Sequence, residues 1–209
     1  MASPPLNNME RVYKFYGLGV IFNSILNFND GCTFRVSKAK SMLGFVKRQT
    51  SELRDPEILK SLYCSLVRSN VEYCSQVWSS TNSHNKNRIE SIQRRATRMI
   101  ASANESYETS KLMTLEKRRK LSSTMFCFDV IEGHIDSPVF LNKINFFCPP
   151  RQLRTSDFLR PDFNRTNYGQ AEPLSSMVSD FNEVANRYEP GMHENNFKTT
   201  VKNYIMILN

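Results

Sequence analysis

The segment from Lys86 to Ala103, KNRIESIQRRATRMIASA, constrains the fold of this chain more than any other stretch. On a helix of 3.6 residues per turn, its apolar side chains fall in one sector roughly 100° wide. They are Ile89, Ile92, Ala96, Met99, Ile100 and Ala103. The rest of the surface carries Arg88, Arg94, Arg95 and Arg98. The pattern predicts a helix with one buried face and one basic face, which is either an ordinary solvated surface or a surface that binds phosphates.

The charge of the chain is concentrated around this helix. The formal net charge is +8, which favours nucleic acid as a partner, with an anionic membrane surface second. Between Arg35 and Lys120 there are 18 Lys and Arg against 8 Asp and Glu, a balance of +10. The remaining 10 basic and 12 acidic residues give −2. The most basic part of the chain therefore coincides with its clearest helical periodicity.

Further helices are predicted before this segment, of which the last is a short one suggested by Val71, Cys74, Val77 and Trp78. Phe34 to Lys47 places four apolar residues on one face and leaves Arg35 largely off it. Asp55-Pro56 is a strong helix start, with Asp as the N-cap and Pro at the first helical position. The next apolar residues predict a broad buried face with Leu62 at its middle, and they are Ile58, Leu59, Leu62, Tyr63, Leu66 and Val67.

A second basic run opens the helix predicted from Leu115 to Glu132, which Gly133 caps at its C-terminus. The run consists of Lys117, Arg118, Arg119 and Lys120. It is either a solvated face or a second phosphate contact. Because the helix dipole disfavours cations near a helix N-terminus, an external anion would make the run easier to understand.

The two ends of the chain are less regular. Residues 1 to 10 are expected to be an unstructured lead, and Val12 to Phe28 predicts a short strand or hairpin that ends in a turn at Asn27 to Gly31. After Gly133, prolines divide the chain, and one helix is expected from Leu174 to Tyr188. The predicted fold is mainly α, with an N-terminal strand or hairpin (1–33), a basic helical bundle (34–136) and an irregular, Pro-rich C-terminal extension with one helix (137–209).

The sequence lacks the patterns of an independent active site. It has no Asp-Asp or Asp-x-Asp pair for two-metal catalysis and no phosphate-loop, dinucleotide-binding or HExxH motif. Its five cysteines form no CxxC, so free thiols, no metal site and an intracellular location are expected. No signal peptide or membrane span is visible. We therefore predict no catalytic residues, no metal and no cofactor.

Five segments, in order, resemble the C-terminal part of reverse transcriptases from jockey-like non-LTR retrotransposons. They are GLGVIFNSILNF (17–28), SKAKSMLGFVKR (37–48), DPEILKSLYCSLVRSNVEYCSQVW (55–78), RIESIQRRATRMI (88–100) and RTNYGQAEPL (165–174). The resemblance covers residues from about 12 to about 200. It implies that residues 1–33 contain the end of the polymerase palm and that residues 34–136 form a thumb-like domain. Members of the family often have Asp where this chain has Gly17 and Asn23.

The resemblance implies a fragment of an RNA-directed DNA polymerase without its catalytic aspartates, which lie upstream in the family. Its expected partners are RNA, DNA or an RNA–DNA hybrid, held by the two basic runs, together with the missing palm and fingers of the parent enzyme. The alternative is a non-catalytic interaction or scaffolding remnant of a transposable element, in which the basic face has no selected function in binding nucleic acid.

Overall fold

Helices form most of this protein. The computed structural model describes residues 14–23, 28–53, 55–78, 83–103, 112–147, 157–161 and 173–207. The expected mainly helical fold class is confirmed. The described helices are α1 (Asn29–Gln49), α2 (Pro56–Leu62), α3 (Ser69–Glu72), α4 (Ser75–Trp78), α5 (Ser83–Ala101), α6 (Leu115–Ile131), α7 (Pro138–Leu141), α8 (Pro173–Asn182) and α9 (Glu194–Ile207). A π-helical segment, Tyr63–Arg68, joins α2 to α3, and a 3-10 turn, Ala185–Arg187, follows α8.

The predicted N-terminal hairpin is present. Strand β1 (Lys14–Gly17) pairs antiparallel with β2 (Val20–Asn23). The two strands are joined at Leu18 and Gly19, both with positive φ. The turn predicted to follow the hairpin at residues 27–31 is wrong, because α1 already begins at Asn29. The expected unstructured lead, residues 1–10, lies outside the described residues.

The hairpin packs on the helix that follows it. Val20 and Ile21 are buried in the contact between β2 and α1. At Gly31 an added Cβ would lie 3.7 Å from the backbone oxygen of Ile21, an ordinary van der Waals contact. Part of the apolar surface of the hairpin is therefore buried within the chain itself, although Leu18 at the turn remains 92% exposed.

Arg35 fastens the hairpin to the helices. Its Nη2 donates a hydrogen bond of 2.8 Å to the backbone oxygen of Gly19. Its guanidinium carbon lies 5.1 Å from the ring centroid of Tyr73 and 5.3 Å from that of Trp78. Tyr73 in turn donates to the backbone oxygen of Leu18 at 3.0 Å. The expectation that Arg35 lies off the buried face is wrong, because a guanidinium between aromatic rings is stabilised by cation–π attraction.

The first apolar core lies between α1, α5 and the helical stretch from α2 to α3. Asp55 caps α2 as predicted, since its Oδ1 accepts from the backbone nitrogens of Glu57 at 2.9 Å and Ile58 at 3.3 Å. The fully buried residues along this stretch recur every four positions, at Leu59, Tyr63, Val67 and Val71. On a regular α-helix this repeat drifts around the axis, whereas the wider turn of the π-helical segment keeps it facing the core.

Two predictions about this core have different outcomes. The predicted apolar face of α5 is confirmed, because Ile89, Ile92, Ala96 and Ile100 are almost completely buried. Leu62, in contrast, is not the middle of the α2 face, since it is only half-buried. The π-helical segment turns Leu59, Tyr63 and Val67 into the core and leaves Leu62 at its edge.

Helix α6 connects the first core to a second one. Leu115 at its start belongs to the first core, whereas Met125 and Phe128 belong to the second. A helix of this length is roughly 25 Å long, which is enough to reach both. The second core also receives side chains from α7, α8, α9 and both remaining strands, and its rings pack closely, with Phe128 and Phe197 stacked at 4.6 Å between centroids. The apolar core of the C-terminal part thus begins inside the region 34–136 that was expected to form one bundle.

The C-terminal part is more ordered at its end than its prolines suggested. Strand β3 (Ile144–Phe146) pairs antiparallel with β4 (Leu159–Pro161). The helix expected from residue 174 to residue 188 is confirmed as α8 but ends at Asn182, and α9 packs the apolar tail into the second core. Gly133 follows α6 with a φ of 76°, as expected for a C-terminal cap. Within the described ranges, every helix is too short or too polar to traverse a lipid bilayer.

Four cysteines of the described residues are free thiols. Cys32 and Cys127 are buried, and Cys64 and Cys74 are half-buried. Burial raises the pKa of the Cys127 thiol to about 12, so this sulfur stays protonated and behaves as a small apolar group. Cys148 lies outside the described residues.

Candidate nucleic-acid interface

A basic groove runs between α1 and α5. It has a volume of about 430 Å³. Its lining consists of Lys40, Leu43, Gly44 and Lys47 from α1, Arg95, Arg98 and Met99 from α5, and Ser102, which directly follows α5. We call these residues the α1–α5 groove. Cations from two different helices therefore face one strip of surface.

Helical periodicity explains why these residues share the groove. On α1, positions 40, 44 and 47 follow the i, i+4, i+7 spacing of one helix face. Positions 95 and 98 of α5 and position 102 just beyond it are spaced i, i+3, i+7, which also falls on one helix face. Gly44, which has no side chain, leaves space between the two lysines, and Leu43 and Met99 supply apolar floor. The groove is thus a basic channel above an apolar base.

The four cations of the groove are exposed and uncompensated. Among the residues that the structure describes, no carboxylate forms an ion pair with Lys40, Lys47, Arg95 or Arg98. Helix α1 has no acidic residue after Asp30. Like charges facing each other across a groove raise its positive potential, and such a site attracts anions.

Helix dipoles account for part of this arrangement. Lys47 lies in the last turn of α1 and Arg98 in the last turn of α5, where a cation is stabilised by the carbonyl ends of the helix. This reason does not apply to Lys40, which lies more than two turns before the end of α1, or to Arg95. The helix dipoles therefore account for the positions of two of the four cations. The described contacts give no internal reason for the positions of Lys40 and Arg95.

The remaining predicted arginines of α5 lie outside the groove. Arg94 is exposed but does not line it. Arg88 is half-buried, and its Nη1 donates to Oγ1 of Thr33 on α1 at 3.1 Å. Arg88 therefore helps to join α5 to α1, and Arg95 and Arg98 carry the basic face of the groove.

The second basic run, Lys117 to Lys120, is engaged within the chain. Arg118 forms a two-pronged pair with Glu72, in which Nη2 lies 3.1 Å from Oε2 and Nε donates to Oε1. Lys120 pairs with Glu183, and Lys117 donates to the backbone oxygen of Met206 at 3.4 Å. Arg119 is 94% buried, with 6% of its surface exposed.

Carboxylates of the chain itself lie at this helix terminus, where an external anion was expected. Glu90 of α5 accepts from the backbone nitrogen of Leu115, the first residue of α6, at 3.2 Å. Burial raises the pKa of Glu90, and the hydrogen bond to Glu72 raises the pKa of Arg118. These contacts favour an internal role for the run, so the candidate interface is confined to the α1–α5 groove and the exposed Arg94 beside it.

Sequence analysis missed Lys40 and Lys47 as candidate ligands. Their signal was present, because α1 carries cations at helical spacing and lacks acidic residues beyond its first turn. What the sequence does not contain is the crossing of α1 and α5 that places these lysines opposite Arg95 and Arg98.

No protein-family model, curated protein or solved structure matches this chain.

Proposed function

We propose that the α1–α5 groove binds the sugar-phosphate backbone of nucleic acid without sequence preference and without catalysis. The observation that carries this proposal is the convergence on one groove of Lys40, Lys47, Arg95 and Arg98, which are exposed and have no ion-pair partner among the described residues. Cations contribute affinity through phosphates, which are common to every sequence. A groove without a described carboxylate has no built-in competitor for them.

The spacing of the cations suits a backbone. Lys40 and Lys47 are seven residues apart, or roughly 10.5 Å along the axis of α1. Successive nucleotides of one strand rise by about 3.4 Å along a duplex. The two lysines would therefore contact phosphates about three nucleotides apart, while Arg95 and Arg98 approach from the other wall.

We also propose that this chain is a fragment of a retrotransposon-derived reverse transcriptase. In that enzyme it would hold template and primer while another part performs the chemistry. The order of the five resembling segments supports this, and so does the hairpin, whose outer surface exposes Phe15, Tyr16 and Leu18. Clustered exposed apolar residues are typical of a surface that another protein part covers. The alternative is a remnant without nucleic-acid function, which the dipole-stabilised positions of Lys47 and Arg98 favour.

Fluorescence anisotropy with an RNA–DNA hybrid tests the proposal. Four neutralised phosphates give a slope of roughly −3 to −4 for log affinity against log salt. Charge reversal in the double variant Arg95→Glu/Arg98→Glu should flatten this slope by about two units. The far-ultraviolet circular dichroism should not change, because both side chains are exposed.

The matched control is Lys198→Glu/Lys202→Glu, which reverses two exposed cations one turn apart on α9. This variant has the same net charge as the first but leaves the groove intact. If both double variants lose the same affinity for the hybrid, net charge alone explains the binding. That result would refute an interface at a defined position. The purified protein should extend no primer with Mg²⁺ or Mn²⁺, and incorporation above background would refute the absence of catalysis.

A further inference from the structure

A second cavity lies where α4, α5, α6 and α8 meet. It has a volume of about 260 Å³ and is separate from the groove. Its lining is polar apart from Pro173 and Met177 and consists of Gln76, Lys86, Glu116, Arg119, Lys120, Ser123, Pro173, Ser176, Met177 and Asp180. Three cations and two carboxylates thus surround one small space.

Two charged groups of this cavity lack partners. Nη1 of Arg119 is fully buried and makes no hydrogen bond with any described residue. In the described part of the chain, no side chain pairs with the carboxylate of Asp180 either, and only its backbone oxygen accepts a bond, from Thr124 at 3.4 Å. A buried guanidinium N–H without an acceptor is costly, because it has lost its water without replacement.

The other cations of the cavity are already neutralised. Lys86 Nζ lies 2.7 Å from Oε1 of Glu116, and Lys120 pairs with Glu183. Arg119 is therefore the one cation of this lining for which the described residues show no ion-paired or hydrogen-bonded acceptor. The hydroxyls of Ser123 and Ser176 line the same space and can donate to an acceptor bound there as well.

We propose that this cavity binds one tetrahedral oxyanion, a sulfate or phosphate group, with Arg119 as its principal donor. A planar guanidinium that presents several N–H groups is the side chain best suited to oxyanions. The hydroxyls of Ser123 and Ser176 complete a donor set on the walls of α6 and α8. This site is independent of the α1–α5 groove and does not require the chain to bind nucleic acid.

The carboxyl of Asp180 couples this site to pH. Burial raises its pKa to about 6, an effect that Lys120 of α6 and Lys86 of α5 oppose and that Glu183 and Glu116 reinforce. Helix α4 adds only the neutral Gln76 to the lining. An ionised Asp180 repels the anion, whereas a protonated one can donate to it, so the affinity should rise as the pH falls through about 6.

Equilibrium dialysis with labelled sulfate tests the site, because sulfate keeps its charge across this pH range. We expect one equivalent per chain and binding roughly tenfold tighter at pH 5.5 than at pH 7.5, since proton uptake and anion binding are linked. Parallel arms with inorganic phosphate and phenyl phosphate at pH 5.5 distinguish a free oxyanion from a phosphate ester.

Two variants decide the outcome. Asp180→Asn removes the repelling charge, so it should bind sulfate at pH 7.5 as tightly as the wild type does at pH 5.5 and lose the pH dependence. Arg119→Met should lose binding at least tenfold, and if it does not fold, Asp180→Asn decides alone. The groove variant Arg95→Glu/Arg98→Glu should bind sulfate normally, which separates this site from the proposed nucleic-acid interface.

Three results would overturn the proposal. The first is the absence of saturable sulfate binding at pH 5.5, which means that the cavity holds water only. The second is equal affinity at both pH values in the wild type. The third is undiminished binding by a folded Arg119→Met variant.

Discussion

The two basic segments of this chain look alike as sequence and differ as structure. The α5 segment presents Arg94, Arg95 and Arg98 to solvent, and two of them face the α1–α5 groove. In the α6 run, Arg118 and Lys120 pair with carboxylates and Arg119 is buried. A cluster of cations in a sequence therefore indicates positive charge but not whether that charge is available to a partner.

The difference follows from what packs against each helix. The neighbour of α5 across the groove is α1, which has no carboxylate beyond its first turn. Helix α6 passes between two cores and has Glu72, Glu90 and Glu183 around its first turns. Leaving a buried charge unpaired costs more than an ordinary hydrogen bond contributes, which is why carboxylates beside Arg118 and Lys120 stabilise this packing, whereas Nη1 of Arg119 has no described acceptor.

The core below the groove packs α1 against α5, and the largest expected effect comes from opening a cavity in it. Leu59→Ala should lower the free energy of unfolding by roughly 2–5 kcal/mol, because Leu59 is only 2% exposed. Leu62→Ala is the matched control on the same helix and should cost clearly less, since Leu62 is half-buried. Urea unfolding measures both, and equal losses would mean that the π-helical segment does not orient this core as described.

Substitutions in the α6 run should lower the stability of the protein, whereas substitutions in the α5 segment should affect binding and leave the stability almost unchanged. Arg118→Ala leaves half-buried Glu72 without its two-pronged partner and should lower the free energy of unfolding by roughly 1–2 kcal/mol. Arg98→Ala removes an exposed, unpaired side chain and should change it by less than about 0.5 kcal/mol. Thermal or urea unfolding of both variants checks the contrast, which fails if Arg98→Ala destabilises the protein as much as Arg118→Ala.

The smallest effect concerns the shape of the groove. Gly44→Ala should raise the free energy of unfolding by about 0.5–1 kcal/mol, because alanine is a better helix former than glycine. The added Cβ meets only Nη1 of Arg48 at 3.5 Å, an ordinary contact. Affinity for the RNA–DNA hybrid should stay within about twofold, since the phosphates are attracted by charge. A large loss of affinity at unchanged stability would show instead that nucleic acid enters the space above Gly44.

Much of the fold was predictable because it depends on local pattern. Asp55-Pro56 starts a helix through contacts within a few residues, and Gly133 ends one through its own backbone conformation. The apolar stripe of α5 needs only the period of the helix. These features are properties of short segments, which is why residue spacing was sufficient to find them.

Other features depend on contacts between distant segments. Arg35 reaches rings at residues 73 and 78, and no local pattern predicts that a basic residue becomes buried there. The turn predicted after the hairpin was wrong because Asn27 to Gly31 has the composition of a turn, yet Asn29 to Gly31 open α1, which packs on β2. In both cases the packing partner, and not the residue itself, decides the structure.

The candidate site also combines features that follow from local sequence with features that depend on contacts between distant segments. The sequence by itself determined the helical class, the basic face of α5 and the concentration of positive charge between Arg35 and Lys120. Only the tertiary structure decided that Lys40 and Lys47 complete the groove, that Arg118 and Lys120 of the α6 run pair with carboxylates of the chain, and that Arg119 and Asp180 share a cavity. The physical reason is that helical periodicity is written into neighbouring residues, whereas the availability of a charge depends on whether another segment places a carboxylate or an open groove beside it.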